Sequence, residues 1–186
     1  MGLVLASSSP RRKEILEKAG FCFKVCASEA DESIDDSLTI EENVKATALR
    51  KAKEVYDRYK DDIVIGADTV VVSGSEILGK PADKNDAKRM LKLLSGSAHQ
   101  VYTGIAIVDK NKEIADCVVT DVIFRKLNEI EIDEYIATGE PFDKAGAYGI
   151  QERGSLLVKE VRGDYFNVMG LPISRLNEIL REHFGF

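Results

Sequence analysis

The stretch LVLASSSPRRKEIL, residues 3–16, passes from an apolar run through three serines and a proline into a helical pattern carrying two adjacent arginines. Its apolar start reads as a buried strand. Ser9 followed by Pro10 reads as the cap and first residue of a helix, and Gly20 marks where that helix stops. A strand that turns at once into a helix is the opening of an α/β unit, and the rest of the chain repeats the alternation. FCFKVCA (21–27) returns as a strand. TIEENVKATALRKAKEVYDRY (39–59) is the longest helical pattern, opened by a capping box of Thr39 and Glu42. DIVIGADTVVVSGSEIL (62–78) reads as two strands about a Ser-Gly-Ser turn, with a glycine-relieved break before Asp68. Asp83 starts a helix that ends at Gly96. Residues 99–127 form a long hairpin turning at Asn111, rich in β-branched residues. Asn128 caps a short helix, a glycine-rich segment (139–154) leads into a strand SLLVKEV (155–161), and a last helix starts near Pro172. The expected fold class is α/β: a mixed, twisted sheet flanked by helices, in a single domain spanning residues 1–186.

Composition narrows the function. The 186 residues, 44% of them hydrophobic, can build one sizeable domain or two small lobes. No apolar stretch approaches the roughly 20 residues of a membrane span, and the N-terminus lacks the pattern of a secretory signal. No membrane partner and a cytoplasmic location are therefore expected. Three cysteines, Cys22, Cys26 and Cys117, fit a reducing compartment better than a disulfide framework, and two distant histidines, His99 and His183, argue against structural zinc. A formal net charge of −6 excludes a broad nucleic-acid-coating surface. Any phosphate must meet a local cluster.

Such a cluster is present. Positive charge in a first helical turn is opposed by the helix dipole, so Arg11 and Arg12 there, with free backbone amides and the hydroxyls of Ser7, Ser8 and Ser9, suggest an anion site. The plainer alternative is two solvated arginines. GSEILGKP (74–81) matches a phosphate-binding loop except at its last position, where Pro81 supplies neither a hydroxyl nor an N–H, which rules out a P-loop enzyme. Lys80 remains a candidate phosphate lysine. Asp68, at the end of an apolar run, needs a partner, and becomes a metal ligand or a base for an attacking water. Leucine and isoleucine spacing in MLKLL and RLNEILREHF reads as core packing, His99 as structural, and Tyr148 as either a stacking ring or a buried one.

In order along nearly the whole chain, LASSSPRRKEIL, ADES, GADTVV, LGKP, LSG before HQVYTGIAI, DKAGAYGIQ and VMGLP resemble the Maf family of nucleoside triphosphate pyrophosphatases. DKAGAYGIQ and the threonine after the aspartate resemble the branch that acts on dTTP and UTP. The resemblance implies a fold similar to that of inosine triphosphate pyrophosphatases, with two lobes and a cleft. It implies attack of water at the α-phosphorus with a divalent cation, Mg²⁺ or Mn²⁺, as cofactor, and a nucleoside triphosphate as substrate. Carried over by motif, Asp68 is the proton acceptor and a metal ligand with Glu32. Arg11, Thr69 and Gln151 select the base, and Ser7, Arg12, Lys51 and Lys80 face the phosphates, with Lys53 as the alternative to Lys51. The resemblance allows a homodimer and a broader action on modified pyrimidine nucleotides. Because the family name comes from septum formation, a regulatory role in cell division is the alternative.

Overall fold

The computed structural model describes residues 2–186. The expected elements are present, with shifted ends. In chain order they are β1 (Leu3–Leu5), α1 (Pro10–Lys18), β2 (Lys24–Val25), α2 (Ile40–Tyr56), β3 (Ile63–Ser73), β4 (Glu76–Leu78), α3 (Lys84–Leu94), β5 (Ala98–Val108), β6 (Glu113–Phe124), α4 (Glu129–Ala137), β7 (Val158–Arg162), α5 (Tyr165–Val168) and α6 (Ile173–Phe184). The strands make one seven-stranded mixed sheet in the order β2-β1-β3-β5-β6-β7, with β4 paired to β3. β1 runs parallel to both β2 and β3, while β4 on β3 and β7 on β6 are antiparallel. No helix among the described residues is long and apolar enough to cross a membrane.

The caps account for most helix starts. Thr39 and Glu42 form the reciprocal capping box expected for α2, Asn128 and Glu131 form another on α4, and the Asp83 side chain accepts from the Asp86 amide on α3. The long hairpin turns where Asp109 Oδ1 accepts from the amides of Asn111 and Lys112. Ser9 departs from its expected role: it stands at the N-cap position of α1, but its side chain makes no capping bond, and its amide donates instead to Ser7 Oγ at 3.2 Å. The strand expected over 21–27 shrinks to Lys24 and Val25, since this edge segment pairs only with β1. Residues 155–157, expected to open β7, instead close a 3-10 helix, Glu152–Leu157. The single-turn α5 carries too few residues for a periodic signal.

By contacts the chain falls into two compact units, one of Met1–Thr69, Thr103–Val118 and Gly170–Phe186, the other of Val70–Tyr102 and Val119–Met169. The first has a core of Val4, Ala6, Ala48, Ala52, Val55, Val64, Ala106 and Val108. Small residues dominate it because α2 lies against the strands at backbone distance. A Cβ on Gly66 would stand 2.1 Å from the Ala48 carbonyl oxygen, and one on Gly104 would stand 2.3 Å from that of Val44. Gly66 therefore does not relieve a break, as the sequence suggested. β3 runs unbroken through Asp68, and the glycine admits the helix. α6 closes this unit with Leu176, Ile179, Leu180 and Phe184, one helical face. In the second unit α3 packs on α4, with Met90, Leu91 and Leu94 turned inward as the MLKLL spacing implied, and Lys88 bridges Asp133 at 2.6 Å and Glu129 at 3.0 Å.

This close approach predicts that Gly66→Ala lowers the unfolding free energy by about 2–3 kcal/mol, because backbone must move to admit one methyl group. Gly79→Ala, where nothing lies within 4 Å of the new Cβ, should cost less than about 0.5 kcal/mol. Urea denaturation midpoints at matched slopes measure both.

Candidate active site

The site is assembled at the middle of β3, where residues 68–70 are partly exposed between the buried runs 63–67 and 71–72. Residues 63–67 are buried, while Asp68 and Thr69 are partly exposed. A carboxylate in a strand at that boundary needs compensation, and α2 supplies it. Lys51, on the face of α2 turned to the sheet, is only 7% exposed, and its Nζ lies 2.8 Å from Asp68 Oδ1. The same ammonium lies 2.8 Å from Glu32 Oε1, on the loop between β2 and α2. Asp68 and Glu32 thus converge on one cation from two segments. Lys53, the sequence alternative, points to the surface, where its ammonium pairs with Glu113 at 2.7 Å.

Arg12 reaches the same strand from the first turn of α1. Its Nε donates to the Gly170 carbonyl at 2.8 Å, Nη1 to the Ala67 carbonyl at 2.9 Å and to Ser7 Oγ at 3.2 Å, and Nη2 to Thr69 Oγ1 at 3.1 Å. Four of the five N–H groups of the guanidinium are engaged by the protein, leaving one Nη2–H. Burial pulls its proton affinity below the ordinary value, and the Asp68 carboxylate opposes that pull, so the group stays a cation. Gly170 has a φ of +102°, and a Cβ there would stand 3.3 Å from Thr69 Oγ1 and 3.5 Å from Arg12 Nε. Glycine keeps the carbonyl within reach of the fork. Thr69 Oγ1 also shares a hydrogen bond of 3.0 Å with Thr103 Oγ1 on β5.

Ser7 is buried, and its oxygen accepts from both Ser9 N and Arg12 Nη1. Its own O–H is then the group left to donate outward. Arg11, one position earlier on α1, is partly exposed. Ser7, Arg11, Arg12, Glu32, Lys51, Asp68 and Thr69 all belong to the first unit. Lys80 and Gln151 belong to the second. Lys80 is exposed after β4, and Gln151 is partly exposed at the start of the Glu152–Leu157 turn.

The glycine-rich segment before Gln151 is held from within the second unit. Tyr148 is 5% exposed, its hydroxyl lies 2.8 Å from His99 Nε2, and its ring meets Phe124 edge-on at 4.8 Å. The ring is core, and not a platform for a base. Tyr135 on α4 accepts from the Gly149 amide at 3.1 Å. Ala147 sits at a φ of +58°, which only a well-packed setting maintains. His99 is structural, as the sequence suggested, while Thr103, Gly170 and Tyr135 are supporting residues that sequence reasoning did not assign. The VMGLP and HQVYTGIAI motifs contain Gly170 and Thr103, but their partners are far away in the chain.

No group of three or more histidine, cysteine, aspartate or glutamate side chains stands close enough to hold a metal ion alone among the described residues. Two carboxylates meeting at one point do suit a hard divalent cation, since Mg²⁺ is commonly held by one or two carboxylates with substrate phosphates completing the shell. The three cysteines are free thiols, and burial pushes that of Cys117 up to about 12.

The fold and this charge arrangement define an α/β protein with cations and carboxylates gathered at the middle of one strand. The chain belongs to the Maf family: the model described as Maf-like protein matches residues 2–183. It is 50% identical over 187 residues to a dTTP/UTP pyrophosphatase of Clostridioides difficile, covering 100% of this chain and 96% of that one. It is 51% identical over 180 residues to a dTTP/UTP pyrophosphatase of Bacillus anthracis, covering 97% and 94%. Among solved structures, a HAM1 protein from Coxiella burnetii shares the fold with a TM-score of 0.52 at 15% identity, over 98% of this chain and 99% of that one.

Burial holds His99 down at about 4, well under its ordinary value near 6.5. A base whose folded value is depressed is protonated first in the unfolded chain, so its contribution is whole above pH 6.5 and declines as pH falls toward 4. Between pH 7.5 and 5 it should remove about 2 kcal/mol of stability. In His99→Gln that part of the pH dependence disappears, which urea unfolding at the two pH values measures.

Proposed function

We propose that the chain hydrolyses dTTP and UTP, with modified pyrimidine triphosphates as further substrates, to the nucleoside monophosphate and pyrophosphate. The observation that carries this reading is the Lys51 ammonium held between Asp68 and Glu32 beside the Arg12 fork, in a chain about half identical end to end to relatives of that name. The relatives are named as enzymes, which weighs against a regulatory role in septum formation.

A triphosphate brings about four negative charges, and the first unit answers with Arg11, Arg12, Lys51, the amides opening α1 and the Ser7 hydroxyl. Mg²⁺ or Mn²⁺, held by Asp68 and Glu32, would add charge neutralisation at the phosphates and acidify a bound water. Asp68 Oδ1 accepts from Lys51, and Oδ2 is assigned the proton of the attacking water. Lys80 of the second unit is assigned to the leaving pyrophosphate by its motif. For the base, uracil and thymine offer an N–H between two carbonyls. The Gln151 amide can accept from that N–H and donate to one carbonyl, with Thr69 and Arg11 as further donors. Cytosine reverses this pattern at two positions. These roles follow from donor chemistry and motif, and the dimeric state the family allows is not needed for them.

The test is product analysis with a panel of canonical and modified triphosphates. dTTP and UTP should give pyrophosphate and monophosphate only with a divalent cation present. Asp68→Asn should lower kcat by at least about a hundredfold with unchanged thermal unfolding. Inorganic phosphate as the first product, or an active Asp68→Asn, would overturn the reading.

A further inference from the structure

Of the two cations facing Asp68, only one is free to leave. Arg12 is fixed by four hydrogen bonds to the protein. Lys51 has Asp68 and Glu32 as its partners among the described residues, and both contacts are 2.8 Å long. A side chain so buried cannot leave two carboxylates and remain uncompensated, and the carboxylates, Asp68 above all with 15% of its side chain exposed, cannot lose it without a replacement. A divalent cation held by the same two carboxylates would take the place the ammonium fills. The two cations exclude each other there.

We propose that Lys51 is an internal placeholder for the divalent cation: its ammonium neutralises Asp68 and Glu32 in the empty protein and must swing away when metal arrives with the triphosphate. The inference rests on the reading that Asp68 and Glu32 face the metal. It explains why a phosphate-side lysine is buried on α2 between carboxylates. A lysine stem of four methylenes is flexible enough to move its charge from carboxylate to phosphate, which arginine's rigid fork is not. Glu32, on a loop and with 60% of its side chain exposed, has room to adjust as the cations exchange. The consequence is thermodynamic coupling. Metal alone must displace Lys51 into no compensating partner and binds weakly, whereas metal with nucleotide gives the ammonium a phosphate to neutralise, so each ligand strengthens the other.

The experiment is a Mn²⁺ titration of the nucleotide-free protein, followed by the electron paramagnetic resonance signal of free Mn²⁺. Lys51→Met should bind Mn²⁺ at least about tenfold more tightly than the native chain, because two carboxylates are left facing one another with no cation. Adding Glu32→Gln should abolish the gain, and Lys53→Met, at the surface, should leave the affinity unchanged. Should Lys51→Met fold poorly without metal, Mn²⁺ should restore its circular dichroism and raise its Tm far more than that of the native protein. Equal or weaker Mn²⁺ binding by Lys51→Met, or a variant that metal does not rescue, overturns the placeholder. No nucleotide enters this titration. Failure of the pyrophosphatase reading would show instead in the native protein's product analysis, and the two failures are separable.

Discussion

The polar groups around Asp68 are arranged about one guanidinium. Arg12 joins the loop after β1, the strand β3 and the turn at Gly170, segments 55 and 158 residues away from it in the chain for the strand and the turn. At each of these points the group that meets Arg12 is a carbonyl or hydroxyl oxygen and not an apolar side chain, so packing alone does not set its orientation. Directional bonds from a planar donor fix it instead. The serine hydroxyl, the Ala67 carbonyl and the Thr69 hydroxyl are thereby held around the residue that lies between the last two. Asp68 is flanked by the Ala67 carbonyl and the Thr69 hydroxyl that Arg12 holds, and owes its charge balance to Lys51.

That division of labour changes the meaning of the paired arginines. Both were expected to meet the ligand, one at the base and one at the phosphates. The geometry gives Arg12 a positioning task first, with a single N–H to spare, so in the proposed function it serves a phosphate mostly as a fixed charge. Ser7 shows the same economy: its oxygen accepts from Arg12 and Ser9, which leaves its O–H as its remaining donor. The proposed anion site is thus organised by protein hydrogen bonds alone, which lowers the cost of ordering it on binding.

How much of this was legible in the sequence follows from the range of the interactions. Thr39 with Glu42, Asn128, Asp83 and the Asn111 turn act within four residues of themselves, and each was readable from a short window. Motif order brought Asp68, Glu32, Lys51 and Arg12 forward together. The break assigned at Gly66 was misplaced because the helix that requires the glycine lies 14 to 18 residues upstream, as Ala48 and Ala52, and a window reads only the missing side chain. Likewise nothing local distinguishes Lys51 from Lys53. Helical periodicity turns one toward β3 and the other toward Glu113, and only the packed sheet says which face is which. The support of Tyr148 by His99, 49 residues away, had no sequence signal beyond a histidine in a strand.

The claim that Arg12 acts by its fork, and not simply by its charge, is tested most directly by Arg12→Lys. Lysine keeps the positive charge but cannot serve Gly170, Ala67, Ser7 and Thr69 together. The account predicts a loss of about 2–3 kcal/mol in unfolding free energy and at least about a hundredfold in kcat/KM for dTTP, measured on the same preparation. A variant that keeps both stability and turnover within about twofold of the native protein would contradict it, and would mean that any cation at this position suffices.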